Sequence, residues 1–162
     1  MKKIILFVIL LSFKNLLLGQ KNLIYGEIGG NAIYYSLNYE REISKLDAIQ
    51  TLYLRVGASI VGEKTANFTY TGVNKSTNLP IMINWTKGKK HRIEVGGGTL
   101  LSFQEGIEKK FRLYPTASVR YRFEPENKGI IFKAGWTPIL IDTEGIGLLF
   151  LLVPGISLGY KF

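Results

Sequence analysis

Large apolar side chains occupy every second position over most of the chain after residue 22. Successive side chains of a β-strand point to opposite faces, so this period of two predicts strands with one apolar and one polar face. The pattern predicts eight strands, at residues 23–29, 33–41, 51–60, 78–85, 91–103, 113–123, 129–139 and about 148–162. A helical period is absent after residue 20, although residues 42–49 could form one short turn.

Short polar segments separate the predicted strands and have the composition of hairpin turns. Residues 86–90 read TKGKK and residues 124–128 read EPENK, whereas residues 29–31 form an unusually tight connection and residues 61–77 a long one. An even number of consecutive strands joined in this way predicts an all-β fold. We expect one domain over residues 20–162, folded as an eight-stranded antiparallel up-and-down β-barrel.

The composition of the polar face favours a transmembrane barrel. A soluble barrel, such as a lipocalin, turns its polar face outward, where long charged side chains predominate. Here the polar face is rich in small residues: Gly57, Gly96, Gly98, Gly135, Gly155, Gly159, Ser36, Ser59, Ser118 and Ser157. Small side chains suit the narrow interior of an eight-stranded barrel. Aromatic residues near strand ends, such as Trp85 and Trp136, are typical of membrane-interface girdles. An exported soluble barrel is the alternative.

The first 19 residues predict export. A basic start, an apolar run at residues 4–13 and a small residue near position 19 have the layout of a secretory signal peptide, cleaved after Gly19 or Gln20. Lys14 interrupts the run, which is shorter than the ~20 apolar residues of a transmembrane helix. Removal of the three lysines in this segment lowers the formal charge from +9 to +6. The chain has no cysteine, so disulfides cannot contribute to its stability.

The signal peptide, the eight alternating strands and the terminal aromatic residue resemble small bacterial outer-membrane barrels of the OmpA/OmpX type. The resemblance implies that the barrel-insertion machinery recognises Leu158, Tyr160 and Phe162. It also implies a monomer surrounded by outer-membrane lipids, in a Gram-negative cell, with both termini in the periplasm. It does not identify the function, because such barrels serve adhesion, anchoring, lipid modification and transport alike.

The polar face also predicts a charged lumen. Its nine charged side chains are Glu27, Glu40, Arg55, Arg92, Glu94, Arg120, Arg122, Lys133 and Lys161. An isolated charge in a low-dielectric interior costs several kcal/mol, so these groups must pair or hold water. We expect a salt-bridge network that fills the barrel, and a narrow or gated anion-preferring pore is the alternative.

One inward-facing segment is apolar where the rest of the lumen is polar. Its members, near the outer ends of the last two strands, are Ile139, Ile141, Leu149, Leu151 and Val153. They could form an apolar mouth for a hydrophobic ligand or lipid chain entering sideways near Pro138 and Pro154, because proline removes ladder hydrogen bonds. Alternatively, the last outer loop caps the barrel with its own apolar side chains, or the strand register slips where Gly145 and Gly147 bend the chain.

Catalytic and metal-binding signals are weak. The single histidine, His91, has apolar parity near a rim, and Ser102 lies near the opposite end of the same strand, so a serine, histidine and carboxylate are not assembled. One histidine, no cysteine and no clustered carboxylates predict no metal and no cofactor. An exported chain without a recognition motif is not expected to bind nucleic acid. The basic residues 87–92 could instead contact anionic lipid headgroups.

The sequence therefore predicts a non-enzymatic integral outer-membrane protein. The outer loops at residues 61–77 and 103–112 are its candidate contact surfaces. A transport or ligand-uptake barrel that uses the apolar mouth is the second hypothesis. A lipid-modifying enzyme is the third.

Overall fold

A computed structural model describes residues 21–67, 70–105, 110–143 and 147–162. Within these ranges, side chains are described except at residues 62–74, 105–110 and 141–149. The predicted signal peptide, residues 1–19, lies outside the described part of the chain, so its cleavage site stays a prediction.

Eight antiparallel strands form one closed barrel, in which each strand pairs with its neighbours along the chain and the last pairs with the first. The strands are β1 (Asn22–Gly29), β2 (Tyr35–Lys45), β3 (Gln50–Asn67), β4 (Tyr70–Gly88), β5 (His91–Glu105), β6 (Lys110–Phe123), β7 (Gly129–Thr143) and β8 (Gly147–Lys161). The closing ladder runs from Leu23↔Lys161 to Gly29↔Gly155. We call the end near residues 22 and 161 basal and the opposite end distal. The predicted eight-stranded up-and-down barrel is confirmed.

The barrel is apolar outside and polar inside. Outward side chains such as Ile28 and Leu158 are 77% and 63% exposed, whereas Arg55 and Glu40 are fully buried. Buried and exposed positions alternate along β2 with the predicted parity. An apolar outer band around a polar lumen is the arrangement of a transmembrane barrel. In the ranges that the structure describes, no helix has the length and apolar character needed to cross a membrane.

Two segments predicted as outer loops are largely strand. The β3–β4 ladder continues to Asn67↔Tyr70, and the β5–β6 ladder continues to Gln104↔Lys110. The prediction of loops at residues 61–77 and 103–112 was therefore wrong in most of both ranges. Regular apolar alternation is lost in both segments, but backbone pairing needs no apolar side chains and continues through them.

The hairpin between β2 and β3 also differs from the prediction. β2 extends to Lys45, with a bulge between Glu42 and Ser44, so residues 42–49 do not form a helical turn. The Asp47 carboxylate accepts hydrogen bonds from the backbone N–H groups of Ile49 and Gln50, both at 2.7 Å. These bonds, led by that from Ile49, lower the pKa of the exposed Asp47 carboxyl and close the turn.

The connection between β1 and β2 folds into the barrel. Gly30–Ala32 forms a single 3₁₀ turn, and all three residues are buried. The predicted tight outer loop is thus an inward turn, the name we use for Gly30–Ala32. Gly30 has φ +65°, and a Cβ atom there would overlap the carboxylate of Glu27. Only glycine fits this position, because L side chains disfavour left-handed backbone and the space is already filled.

The ladder between β6 and β7 is interrupted in its distal half. These strands pair from Phe123↔Phe132 to Val119↔Trp136 and again at Thr116↔Ile139, and no pair joins them between those two points. Pro138 lies in the interruption and has no N–H to donate. The Thr116 hydroxyl instead donates to the Pro138 carbonyl at 3.1 Å. By contrast, β7 and β8 stay paired as far as Thr143↔Gly147.

Candidate functional site

The lumen contains two clusters of buried charged side chains. The basal cluster consists of Glu40, Glu94, Arg122, Glu124, Lys133 and Lys161, and the distal cluster consists of Glu27, Arg55 and Arg120. The structure thus places eight of the nine predicted lumen charges in these clusters. The ninth, Arg92, is half-buried at the basal rim, with a guanidinium nitrogen 3.9 Å from Glu124.

Arg122 and Lys133 form the centre of the basal cluster. Arg122 is paired with Glu40, with Glu94 at 2.7 Å and with Glu124 at 2.6 Å. Lys133 Nζ lies 2.5 Å from Glu40 Oε2 and 2.9 Å from Glu94 Oε2. Each of the two cations therefore contacts both Glu40 and Glu94, which closes a four-residue ring of charge-assisted hydrogen bonds across the lumen.

Two tyrosines on inward-facing positions complete the basal cluster. Tyr25 donates its hydroxyl to Glu40 at 3.0 Å, and Tyr53 donates to Glu124 at 3.2 Å. The Arg122 guanidinium lies 4.1 Å from the centroid of the Tyr53 ring. Lys133 Nζ lies 4.4 Å from the Tyr25 centroid. These cation–π contacts stabilise the two cations where water cannot solvate them.

Glu124 lies just beyond β6 and connects the cluster to the basal rim. Lys161 Nζ lies 2.6 Å from Glu124 Oε1 and also donates to the Pro125 carbonyl at 2.6 Å. Burial alone would raise the pKa of the Glu124 carboxyl, but the surrounding cations, led by Arg122 and Arg92, lower it to about 2. Glu124 is therefore ionised in the folded protein at neutral pH.

The distal cluster is joined to the inward turn. Glu27 is paired with Arg55 and, at 2.8 Å, with Arg120. Both guanidinium groups also donate to the side-chain oxygen of Asn31, Arg55 at 3.1 Å and Arg120 at 2.7 Å. The Asn31 amide nitrogen donates to the Thr116 hydroxyl at 2.9 Å. The turn thus closes the lumen above the distal cluster.

The residues of the predicted apolar mouth lie distal to these clusters. Ile139 is fully buried, Val153 is 8% exposed and Leu151 is half-buried. The backbone register pairs Ile141 with Leu149, but their side chains lie outside the described residues. Ile139 is paired with Leu151 in the register of β7 and β8, and the ladder interruption at Pro138 lies beside this pair.

The residues of the predicted insertion signal lie on the outer surface of β8. Leu158, Tyr160 and Phe162 are all exposed, on the face that the parity predicts. The backbone of Phe162 exchanges two hydrogen bonds with Asn22, at 2.9 and 3.1 Å. Phe162 is therefore held by backbone hydrogen bonds to the first residue of β1.

His91 lies on the outer surface at the basal rim. Its Nδ1 is 2.6 Å from the Tyr121 hydroxyl, and its ring packs against Phe123 with centroids 5.4 Å apart. Ser102 is inward-facing on the distal part of the same strand. Among the residues that the structure describes, no group of histidine, cysteine and carboxylate side chains could hold a metal ion.

Four polar residues of the site were not predicted from the sequence: Tyr25, Asn31, Tyr53 and Glu124. Strand parity could have found three of them, because Tyr25 shares the parity of Glu27, Tyr53 that of Arg55, and Glu124 that of Arg122. Asn31 lies in a turn, where parity does not apply. No sequence signal indicates that this turn points inward.

Comparison with known proteins adds a likeness of fold. No known protein family and no curated protein matches the chain. Among solved structures, the N-terminal β-barrel domain of Pseudomonas aeruginosa OprF is similar, with 12% identity, coverage of 88% of this chain and 96% of that chain, and a TM-score of 0.47.

Two other solved structures are similar in the same range. Ail, the attachment invasion locus protein of Yersinia pestis, has 10% identity, covers 88% of this chain and 97% of its own, and gives a TM-score of 0.47. The outer-membrane enzyme PagL has 12% identity, coverages of 88% and 98%, and a TM-score of 0.43. At these identities and scores the likeness identifies no function.

Proposed function

We propose that this chain is a non-enzymatic integral protein of the bacterial outer membrane, with a side-chain-filled lumen and distal hairpins that provide contact surfaces. The observation that carries the proposal is the distribution of polarity in a closed barrel. Large apolar side chains cover the outside, whereas six cations and four carboxylates, those of the two clusters and Arg92, lie inside or at the basal rim. This distribution fits a barrel whose outer surface faces the hydrocarbon of a bilayer, and it does not fit a barrel whose outer surface faces water.

The lumen of this barrel does not provide a pore. The ring of Arg122, Lys133, Glu40 and Glu94 crosses the basal half, and the inward turn closes the distal half. An ion would have to break charge-assisted hydrogen bonds at two successive levels. Planar-bilayer recordings should therefore show no discrete openings at moderate voltage. Regular anion-selective openings would contradict the filled lumen and favour the pore hypothesis.

The separation of His91 and Ser102, among the residues that the structure describes, supports a non-enzymatic role. His91 contacts Tyr121 and Phe123 on the outer surface, and Ser102 lies on the opposite face and near the opposite end of β5. A serine nucleophile needs its base within hydrogen-bonding reach. We expect a His91→Gln variant to assemble into the membrane like the wild type and to lose only the small stability that the contacts of His91 with Tyr121 and Phe123 contribute.

Tryptophan fluorescence tests the membrane location. Trp136 is 53% exposed on β7, and Trp85 faces outward near the basal rim, where its Nε1 donates to Gln50 at 3.1 Å. Single-tryptophan variants, Trp85→Phe and Trp136→Phe, would be folded into vesicles whose acyl chains carry bromine. We expect strong quenching of both tryptophans by the bromolipid and weak quenching by aqueous iodide. Efficient iodide quenching of both would favour the exported soluble barrel.

Cysteine labelling tests the orientation, since the chain has no native cysteine. Lys75 is exposed on the distal hairpin of β3 and β4, and Lys89 is exposed in the basal turn before β5. With periplasmic termini, a membrane-impermeant maleimide should label Lys75→Cys on intact cells. It should label Lys89→Cys only after the outer membrane is permeabilised. The reverse pattern would overturn the proposed orientation.

Uptake of a hydrophobic ligand is the second candidate function. The observation that favours it is the interrupted β6–β7 ladder at Pro138, next to the buried apolar side chains Ile139 and Val153. Native mass spectrometry of detergent-extracted protein should then show a retained lipid or apolar molecule. Leu151→Arg should remove that ligand, whereas an equivalent change on the lipid-facing side, Leu152→Arg, serves as the control. Retention by Leu151→Arg would exclude the apolar mouth as the binding site.

A further inference from the structure

The distal cluster has a net charge of +1, because it contains two arginines and one glutamate. Arg55 and Arg120 are both buried, and Glu27 is the one carboxylate that pairs with either of them among the described side chains. A buried cation without a counterion is unfavourable by several kcal/mol. Among the described residues, the other partners of the two guanidinium groups are neutral: Asn31, Asn38, Met82, Thr137 and the ring of Tyr25, whose centroid lies 5.5 Å from Arg55 Cζ.

One of those neutral partners occupies the position that a second carboxylate would be expected to fill. The side-chain oxygen of Asn31 accepts from Arg55 at 3.1 Å and from Arg120 at 2.7 Å, so it bridges the two cations. An amide oxygen carries only a partial negative charge. A carboxylate at the same place would make the same two hydrogen bonds and would neutralise the excess charge.

The segment that brings Asn31 into this position has an unfavourable backbone. Gly29 and Gly30 adopt positive φ angles of +75° and +65° without strain, but Ile33, a β-branched residue, has φ +72°, which is unfavourable for an L side chain. The Tyr34 N–H donates to the Ala32 carbonyl at 2.9 Å across Ile33, which makes a classic γ-turn, a rare and strained conformation. The contacts of the buried turn must offset this strain. The closed position is therefore one that a competing ligand could displace.

We propose that Arg55 and Arg120 form a binding site for a carboxylate group, which enters from the distal end when the inward turn moves outward. In the closed form the Asn31 oxygen occupies the site. Two guanidinium groups and one excess charge match a monovalent planar anion. The basal cluster closes the floor of the site, so displacement of the turn opens a cup and not a channel. The site requires no covalent step and no cofactor.

Anion-dependent thermal unfolding tests the site, with formate as the probe and chloride at equal ionic strength as the reference. The protein would be folded in detergent micelles, so the result is independent of its location in the cell. Asn31→Ala removes the amide that occupies the site, and formate should then raise the Tm by at least about 2 °C over chloride. Equal Tm values in the two salts would overturn the proposal.

Two further variants keep the test specific. Asn31→Asp supplies the carboxylate from the chain itself, so its Tm should exceed that of the wild type and should not respond to formate. Adding Arg120→Gln to Asn31→Ala should abolish the formate effect, and an effect that survives would show binding elsewhere and overturn the proposal. A response of Asn31→Ala to inorganic phosphate but not to formate would overturn the carboxylate assignment. If Asn31→Ala does not fold, the Tm of Asn31→Asp is the test. A Tm at or below that of the wild type then overturns the proposal.

Discussion

Arg122 and Glu124 lie two residues apart, on either side of the end of β6, and their side chains meet inside the barrel with Nη2 and Oε2 2.6 Å apart. The carboxylate lies outside the membrane-spanning strand, whereas the guanidinium reaches the centre of the basal cluster. Glu124 therefore links the buried ring of charges to the basal turns. Lys161 and Tyr53 contact the same carboxylate from two other strands.

Acidification should weaken this link in a defined pH range. The pKa of Glu124 falls from 4.5 to about 2 on folding, so the stability it contributes is complete above about pH 4.5 and is lost as the pH falls towards 2. Glu124→Gln should lower the free energy of unfolding by about 3 kcal/mol at neutral pH. The gap in Tm between wild type and variant should narrow between pH 4.5 and about 2. A gap that does not change with pH would contradict the assigned role.

Removing the single carboxylate of the distal cluster should be costly. Glu27→Gln removes the one carboxylate that forms an ion pair with Arg55 or Arg120 among the described side chains, and we expect a loss of about 3–5 kcal/mol in the free energy of unfolding. Urea unfolding in micelles would measure the loss. Glu126→Gln, in an exposed basal turn, is the matched control and should change stability by less than about 0.5 kcal/mol. Similar losses in the two variants would contradict the buried ion pairs.

Two adjacent glycines in β5 should respond differently to alanine. A Cβ on Gly98 would lie 2.7 Å from the Cα of Met82 on the neighbouring strand, where the backbone cannot move aside. A Cβ on Gly97 has no atom within 4 Å. Gly98→Ala should lose about 1–3 kcal/mol by overpacking, whereas Gly97→Ala should fold like the wild type. The temperature at which each variant loses its heat-modifiable migration on gels would measure both stabilities. A Gly98→Ala variant as stable as the wild type would show that β4 and β5 separate more easily than their contacts indicate.

The last residue should matter more for assembly than for stability. Phe162 is 48% exposed, and its link to β1 consists of backbone hydrogen bonds to Asn22. Phe162→Ala should keep these bonds and unfold in micelles at nearly the wild-type temperature. If the insertion machinery reads the side chain, the amount of folded protein in the outer membrane of cells should fall several-fold. Unchanged assembly would remove Phe162 from the predicted insertion signal.

The sequence predicted the strands well where lipid and lumen impose opposite chemistry on the two faces. β6 ends at Phe123 and β7 begins at Gly129 as the alternation and the EPENK turn indicate. Prediction failed where that contrast disappears. The extensions of β3 and β4 to Asn67 and Tyr70 lack regular apolar alternation, and it is their backbone pairing that defines them as strand.

Strand parity also predicted which charged residues lie in the lumen, but it did not predict which residues they contact. It assigns Arg55 and Arg120 to the interior, because each alternates with outward apolar residues. It cannot show that both reach the same asparagine, since Asn31 belongs to a turn whose direction depends on the space left inside the closed barrel. Glu124 shares the parity of Arg122, but it follows the last apolar residue of its strand and reads as part of a turn.

The closure of the barrel also affects the order and the rate of folding. Leu23 pairs with Lys161, so the first strand of the sheet cannot satisfy both of its edges until the last strand has been synthesised. Pairing between such distant segments carries a large entropic cost and makes folding slow. Until closure, the edges of β1 and β8 are exposed templates for aggregation.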